Sequence, residues 1–123
     1  ERAAVLNNRA VCNLKLGNFD AAILDTDAVL CIDSRNVKAL VRRAAARRAL
    51  VDQHLNPPGA SSLGGEHERR LRHLLEKARE DLIAVTQLEP DNSDAMLSLM
   101  DLDEVSFKLN NPEDVEEESN PEG

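Results

Sequence analysis

Apolar and small residues recur three and four positions apart along most of the chain, the spacing that gathers them on one face of an α-helix. The pattern predicts helices over residues 3–16, 19–32, 37–51, 66–88 and 94–109. Gly17 is placed to end the first in a left-handed turn. Asn18 is expected to cap the second, whose first turn carries Asp20 in favourable relation to the helix dipole. Asp33-Ser34-Arg35-Asn36 links the second helix to the third. Residues 54–65 contain Asn-Pro-Pro-Gly, Ser-Ser and Gly-Gly, which cannot sustain a helix and predict a mobile loop. Pro90 follows the fourth helix, Asn92 or Ser93 is placed to cap the fifth, and Asn110-Asn111-Pro112 ends it. Residues 113–123 are too polar to fold alone.

The helices repeat. One fixed step along the chain aligns Leu6 with Leu40, Arg9 with Arg43, Ala10 with Ala44 and Leu16 with Leu50. A longer step aligns Phe19 with Leu75, Ala22 with Ala78, Ala28 with Ala84, Val29 with Val85, Ile32 with Leu88 and Asn36 with Asn92. The difference between the two steps is an insertion inside the second unit. Small residues (Ala10, Ala22, Ala28; Ala44, Ala78, Ala84) let the two helices of a unit approach closely, and Leu6, Phe19, Leu40 and Leu75 fill the space between units. One hairpin cannot bury its apolar face alone, so the fifth helix, with Met96, Leu97, Met100 and Phe107, is expected to act as a cap. The units are residues 3–36 and 37–92, the latter with its insertion at about 52–66, then a capping helix at about 93–109 and an acidic, disordered tail over 110–123.

Composition supports helices: hydrophobic residues are 41% of the chain and aromatic residues only 2%, so Ala, Leu and Val must do the packing. The net charge of −8 is mostly the tail, which holds six acidic residues and no Lys or Arg; without it 17 acidic residues face 15 basic ones. Nucleic acid is excluded as a partner on this balance and on the lack of basic aromatic surface. Arg42, Arg43, Arg47 and Arg48 point around their helix, not along one stripe, and are expected to form ion pairs within the fold. Cys12 and Cys31 sit among apolar helix residues and read as buried free thiols. His67 and His73 lack the four-residue spacing of a helical metal pair, and the run Glu66–His73 reads as a solvated, salt-bridged turn. No metal, cofactor or membrane span is expected, and no catalytic constellation is present. The reading is a non-enzymatic chain of the cytoplasm, with the nucleus as the alternative. It opens at Glu1 inside a helical pattern, so a preceding stretch is expected, and a first helix exposed without it allows pairing with a second copy.

Leu14-Lys15-Leu16-Gly17-Asn18-Phe19-Asp20-Ala21-Ala22-Ile23, then Ala28-Val29-Leu30-Cys31-Ile32-Asp33, and Glu89-Pro90-Asp91-Asn92 in the second unit, resemble the tetratricopeptide repeat over about residues 3–108. The resemblance implies an all-α fold: a right-handed superhelical solenoid of antiparallel helix hairpins. The sequence departs from the family pattern at Asn13 and Arg47, where a large apolar or aromatic residue is usual, at Ser34 in place of proline, and at Val51 in place of the turn glycine. Asn7-Asn8-Arg9-Ala10 and Val37-Lys38-Ala39-Leu40-Val41-Arg42-Arg43-Ala44 further resemble the dicarboxylate-clamp class, which holds the C-terminal Glu-Glu-Val-Asp of heat-shock protein 70 and 90 chaperones. That resemblance places clamp residues at Asn8, Lys38 and Arg42; two more, a Lys and an Asn, belong to a preceding repeat.

The side chains suit the role. Lys38 and Arg42 lie four apart on one helix face, which Ala45 and Ala49 continue as a groove lining with room for an extended peptide. Arg42 can grip a carboxylate with two parallel bonds, Lys38 adds a point charge, and the Asn8 amide can bond a peptide backbone. The expected partner is therefore a protein or peptide C-terminus. The competing reading is a scaffold in a larger complex, recognising a different partner with no clamp role. A third reading places catalysis on an attached domain.

Overall fold

The computed structural model describes residues 2–55 and 65–110. They form five helices and, among the described residues, no strand: α1 (Arg2–Leu16), α2 (Phe19–Ile32), α3 (Val37–Leu55), α4 (Gly65–Leu88) and α5 (Ser93–Asn110). The fold is all-α. The expected tail beyond 110 lies outside the described residues, as does most of the expected loop over 54–65. The ends of that loop are helical: α3 continues past Val51 to Leu55, and α4 begins at Gly65.

Local chemistry accounts for the boundaries. Gly17 has φ +83°, and its N–H bonds the Leu14 carbonyl at 3.1 Å while the Asn18 N–H bonds that of Asn13 at 2.8 Å, the paired closure of a left-handed helix end. Asn18 does not cap α2 with its side chain, contrary to expectation. Its backbone lies outside the extended region from which a capping side chain folds back, and its carbonyl alone receives the Ala22 N–H. The next link is regular: Asn36 Oδ1 accepts from the Ala39 N–H at 3.0 Å, and Asn36 N–H bonds the Asp33 carbonyl. Asn92 repeats this in the second unit, accepting from Ala95 N–H at 2.9 Å and donating to Glu89 Oε1 at 3.0 Å. Asn92, not Ser93, is thus the cap of α5.

Each helix packs on the next, and α1 also touches α3. Ion pairs that fall symmetrically about each connection, such as Arg9 with Asp25 and Arg43 with Asp81, make neighbouring helices antiparallel. The main core joins α3, α4 and α5 through Leu40, Ala44, Val51, Leu71, Leu75, Ala78, Leu82, Val85, Ala95 and Leu102. Ala10, Ala22, Ala44 and Ala78 are buried as expected of close-approach positions, while Leu6 and Phe19 are only half-buried.

Two further expectations are overturned. Cys12 and Cys31 are both exposed. Cys31 shares its register with Gln87 on the solvent side of α4, and Cys12 lies on a face of α1 that no described helix covers. On α5, Met96, Leu97, Met100 and Phe107 do not seal the core but are 53–65% exposed; Ala95, Leu99, Leu102, Val105 and Leu109 pack inward instead.

Candidate functional site

Asn8 of α1 and Lys38 and Arg42 of α3 line one open concavity of about 620 Å³. The repeat stacks α1 beside α3, which sets Asn8 next to Arg42. The cap at Asn36 then brings the first turn of α3, with Lys38, to the same rim. Arg42 is held rather than loose: its Nη1 donates to the Asn7 carbonyl at 3.3 Å. That leaves its remaining donors available to an anion in the concavity.

Three lining features escaped the sequence reading. Asn7 is 6% exposed, and its Nδ2 donates to Asn36 Oδ1 at 3.2 Å, so one side chain ties α1 to the cap of α3. Its Oδ1 is buried without a hydrogen-bond partner among the described residues. Arg35 adds a third cation, while Asp33 and Glu89 bring carboxylates to the rim. The Asp33 carboxylate is engaged locally, accepting from the Arg35 N–H at 3.2 Å. A usable signal for Asn7 existed: its neighbour Asn8 faces the concavity, and one residue along a helix turns the side chain about 100°, toward α3.

Ala45 and Ala49, expected to extend this groove, line a separate cavity of about 250 Å³ between α3, α4 and α5. It is lined also by Val41, Leu82 and Leu102, and one edge is Arg48 paired with Asp101 at 2.7 Å and with Asp52. The two concavities lie side by side along α3, meeting at the neighbours Val41 and Arg42.

The other arginines of α3 are used inside the fold. Arg43 bonds Asp81 of α4 at 2.8 Å and Asp27 of α2 at 2.7 Å, and Arg47 bonds Asp81 at 3.0 Å. Hydrogen bonding to Asp81 raises the Arg43 pKa above its ordinary value, whereas burial lowers that of Arg47. The first hairpin carries the same device: Arg9 and Asn13 both bond Asp25, at 2.7 and 3.0 Å. The two repeat steps convert Arg9, Asn13 and Asp25 into Arg43, Arg47 and Asp81. The two polar departures at Asn13 and Arg47 are thereby explained, since each completes a buried carboxylate's bonding. His67 meets His54 edge-to-face at 5.2 Å. Among the described residues, no group of three His, Cys, Asp or Glu is placed to hold a metal ion, and no helix is long and apolar enough to cross a membrane.

Fold and site together define an all-helical module with a cation-bearing concavity between its first and third helices. No family model matches the chain. It is similar to sperm-associated antigen 1: 34% identical over 115 residues of the mouse protein, spanning 94% of this chain and 10% of that protein. Against human sperm-associated antigen 1 it is 35% identical over 111 residues, 90% of this chain and 9% of that protein. It is also 30% identical over 110 residues to rat RNA polymerase II-associated protein 3, 88% of this chain and 13% of that protein. The chain thus spans about a tenth of the length of these relatives.

Proposed function

We propose that this chain is a non-catalytic protein-interaction module of the tetratricopeptide class, a right-handed superhelical stack that works as a co-chaperone or assembly-factor adaptor in the cytoplasm or nucleus. Its site takes the C-terminal carboxylate of a partner peptide, the Glu-Glu-Val-Asp end of heat-shock protein 70 or 90 chaperones, through Asn8, Lys38 and Arg42. The observation that carries this reading is the meeting of those three side chains, from two helices that are not consecutive, on one concavity. The cavity lined by Ala45 and Ala49 supports it, having room for an apolar side chain further up the same peptide. Similarity to a protein named for its association with RNA polymerase II fits a partner that is itself protein.

Two charge-assisted contacts contribute about 1.5–3 kcal/mol each before ordering costs, so that once those costs are met the dissociation constant is about 1 mM or weaker. NMR titration with a peptide ending Glu-Glu-Val-Asp is expected to shift the Asn8, Lys38 and Arg42 resonances. Amidating the peptide's terminus, or combining Lys38→Ala with Arg42→Ala, is expected to weaken binding about tenfold or more. Undiminished binding after both changes sinks the clamp reading. The alternative is a scaffold with a different partner. It is favoured by Asp33 and Glu89 on the same rim, which repel an acidic peptide, and it predicts stronger binding of a basic peptide than of Glu-Glu-Val-Asp.

A further inference from the structure

Three cations on the concavity between α1 and α3 stand without a carboxylate. Among the described residues Arg35, Lys38 and Arg42 form no ion pair, and the side-chain bond that Arg42 makes goes to the Asn7 carbonyl. The other arginines of α3 are all matched: Arg43 and Arg47 with Asp81, and Arg48 with Asp52 and Asp101. The two carboxylates on the rim are already bonded, Asp33 by the Arg35 N–H and Glu89 by the Asn92 amide, and the three cations outnumber them. Beside this concavity, meeting it at Val41 and Arg42, lies the apolar cavity between α3 and α5. A cationic concavity next to an apolar one suits a segment in which acids follow a single apolar side chain.

We infer that the chain's own residues 111–123 dock there, with Val115 in the apolar cavity and Glu116, Glu117 and Glu118 against Arg42 and Lys38, so that the protein competes for its own site. This segment holds six acids, no Lys or Arg, and one large apolar residue, Val115. Its reach fits the order of the two concavities. Helices α3 and α5 run the same way, each being antiparallel to α4, and the bond from Arg48 to Asp101 sets their register. Asp101 lies nine residues before the end of α5 at Asn110, about 14 Å at the helical rise. Five residues of extended chain span about 17 Å, so Val115 reaches the cavity lined by Asp101 and Leu102. Arg42 is six residues before Arg48 on α3, about 9 Å further on. Three more extended residues cover about 10 Å and bring Glu118 to it. The arginines at the start of α4 fit less well. Arg69 and Arg70 share their concavity with Glu66, His67 and His73, and no apolar residue lines it to take Val115. As a contact the inference does not depend on what the site binds; as regulation it rests on the peptide-binding reading. A tether this short gives an effective concentration of about millimolar order, similar to the dissociation constant of a free peptide, so the segment competes without shutting the site.

A spin label tests this on the full chain. Ser119→Cys carries the label, with Cys12→Ser and Cys31→Ser to keep it single. Enhanced amide relaxation is expected at Asn8, Lys38, Arg42 and Ala45. It is expected to fall about threefold or more when Glu116→Gln, Glu117→Gln and Glu118→Gln are combined, and likewise when Lys38→Ala is combined with Arg42→Ala. Glu113→Gln with Asp114→Asn is the control for charge alone and is expected not to weaken it, because those acids precede Val115. The triple variant is expected to bind a peptide ending Glu-Glu-Val-Asp about two- to fivefold more tightly than the unaltered chain. Relaxation that gathers at Arg69 and Arg70, or that survives the triple variant undiminished, overturns the proposal. A peptide that binds both forms equally overturns the regulation. A peptide that binds neither form, while the relaxation pattern holds, removes the peptide-binding reading and leaves the internal contact standing.

Discussion

Asp81 is the residue on which the second hairpin's electrostatics converge. Its carboxylate, 6% exposed, accepts from both Arg43 and Arg47, whose side chains are 21% and 15% exposed. Removing it strands the partly buried Arg47 guanidinium and leaves Arg43 with Asp27 alone, and neither loses its charge at any physiological pH. Asp81→Ala is therefore expected to cost about 3–5 kcal/mol, read as a fall in the urea midpoint. Asp103→Ala is the control. Its partner Arg79 and Asp103 itself are more than half exposed, so the loss is expected to be under about 1 kcal/mol. Equal losses from the two substitutions would show that exposure does not decide the value of these pairs. Asp25→Ala is expected to fall between them, because Arg9 at 63% exposure can turn into solvent once its partner is gone.

At the scale of the helix, two glycines offer opposite signs. Gly17 sits at φ +83° with nothing within 4 Å of an added Cβ, so only the backbone conformation opposes a side chain. Gly17→Ala is expected to cost about 1–2 kcal/mol. Gly65 also has open space but an ordinary φ at the first position of α4. Gly65→Ala is expected to be neutral or stabilising by up to about 1 kcal/mol. Thermal unfolding of both variants checks the contrast. All five helices, Gly17 as a stop and Asn92 as a cap were legible because they rest on local chemistry that each segment carries by itself. That Asn8, Lys38 and Arg42 lie around one concavity was legible because a fixed repeat converts sequence spacing into neighbourhood. What was not legible depends on which faces are covered. Cys12, Met96 and Met100 look like core residues in any window, and only the arrangement of whole helices leaves them in solvent. Asn7 was missed for a related reason: a polar residue is read as surface until its partner, here the cap Asn36, is known to lie against it.

At the scale of the whole molecule, the repeat assigns each first-of-pair helix two apolar faces, one toward its own hairpin partner and one toward the preceding hairpin. Positions Ala39 and Ala46 of α3, and Ala95 and Leu102 of α5, belong to the second kind and are all buried. Their equivalents on α1 are Val5 and Cys12, of which Val5 is 65% exposed and Cys12 is likewise exposed. A preceding hairpin stacked on α1 as α2 stacks on α3 would cover both and would also present the two clamp residues that the resemblance assigns to it. The two cysteines report on this without any substitution. In the chain as it stands, both thiols are expected to react with a thiol-specific reagent in the absence of denaturant. In a longer protein carrying such a hairpin, Cys12 is expected to be protected about tenfold or more, because it reacts only through local opening. Cys31, in register with solvent-facing Gln87, is expected to keep its rate. Equal protection of the two thiols would mean that the added segment covers a different surface. Unchanged reactivity at Cys12 would mean that the added hairpin does not pack against α1 in this way.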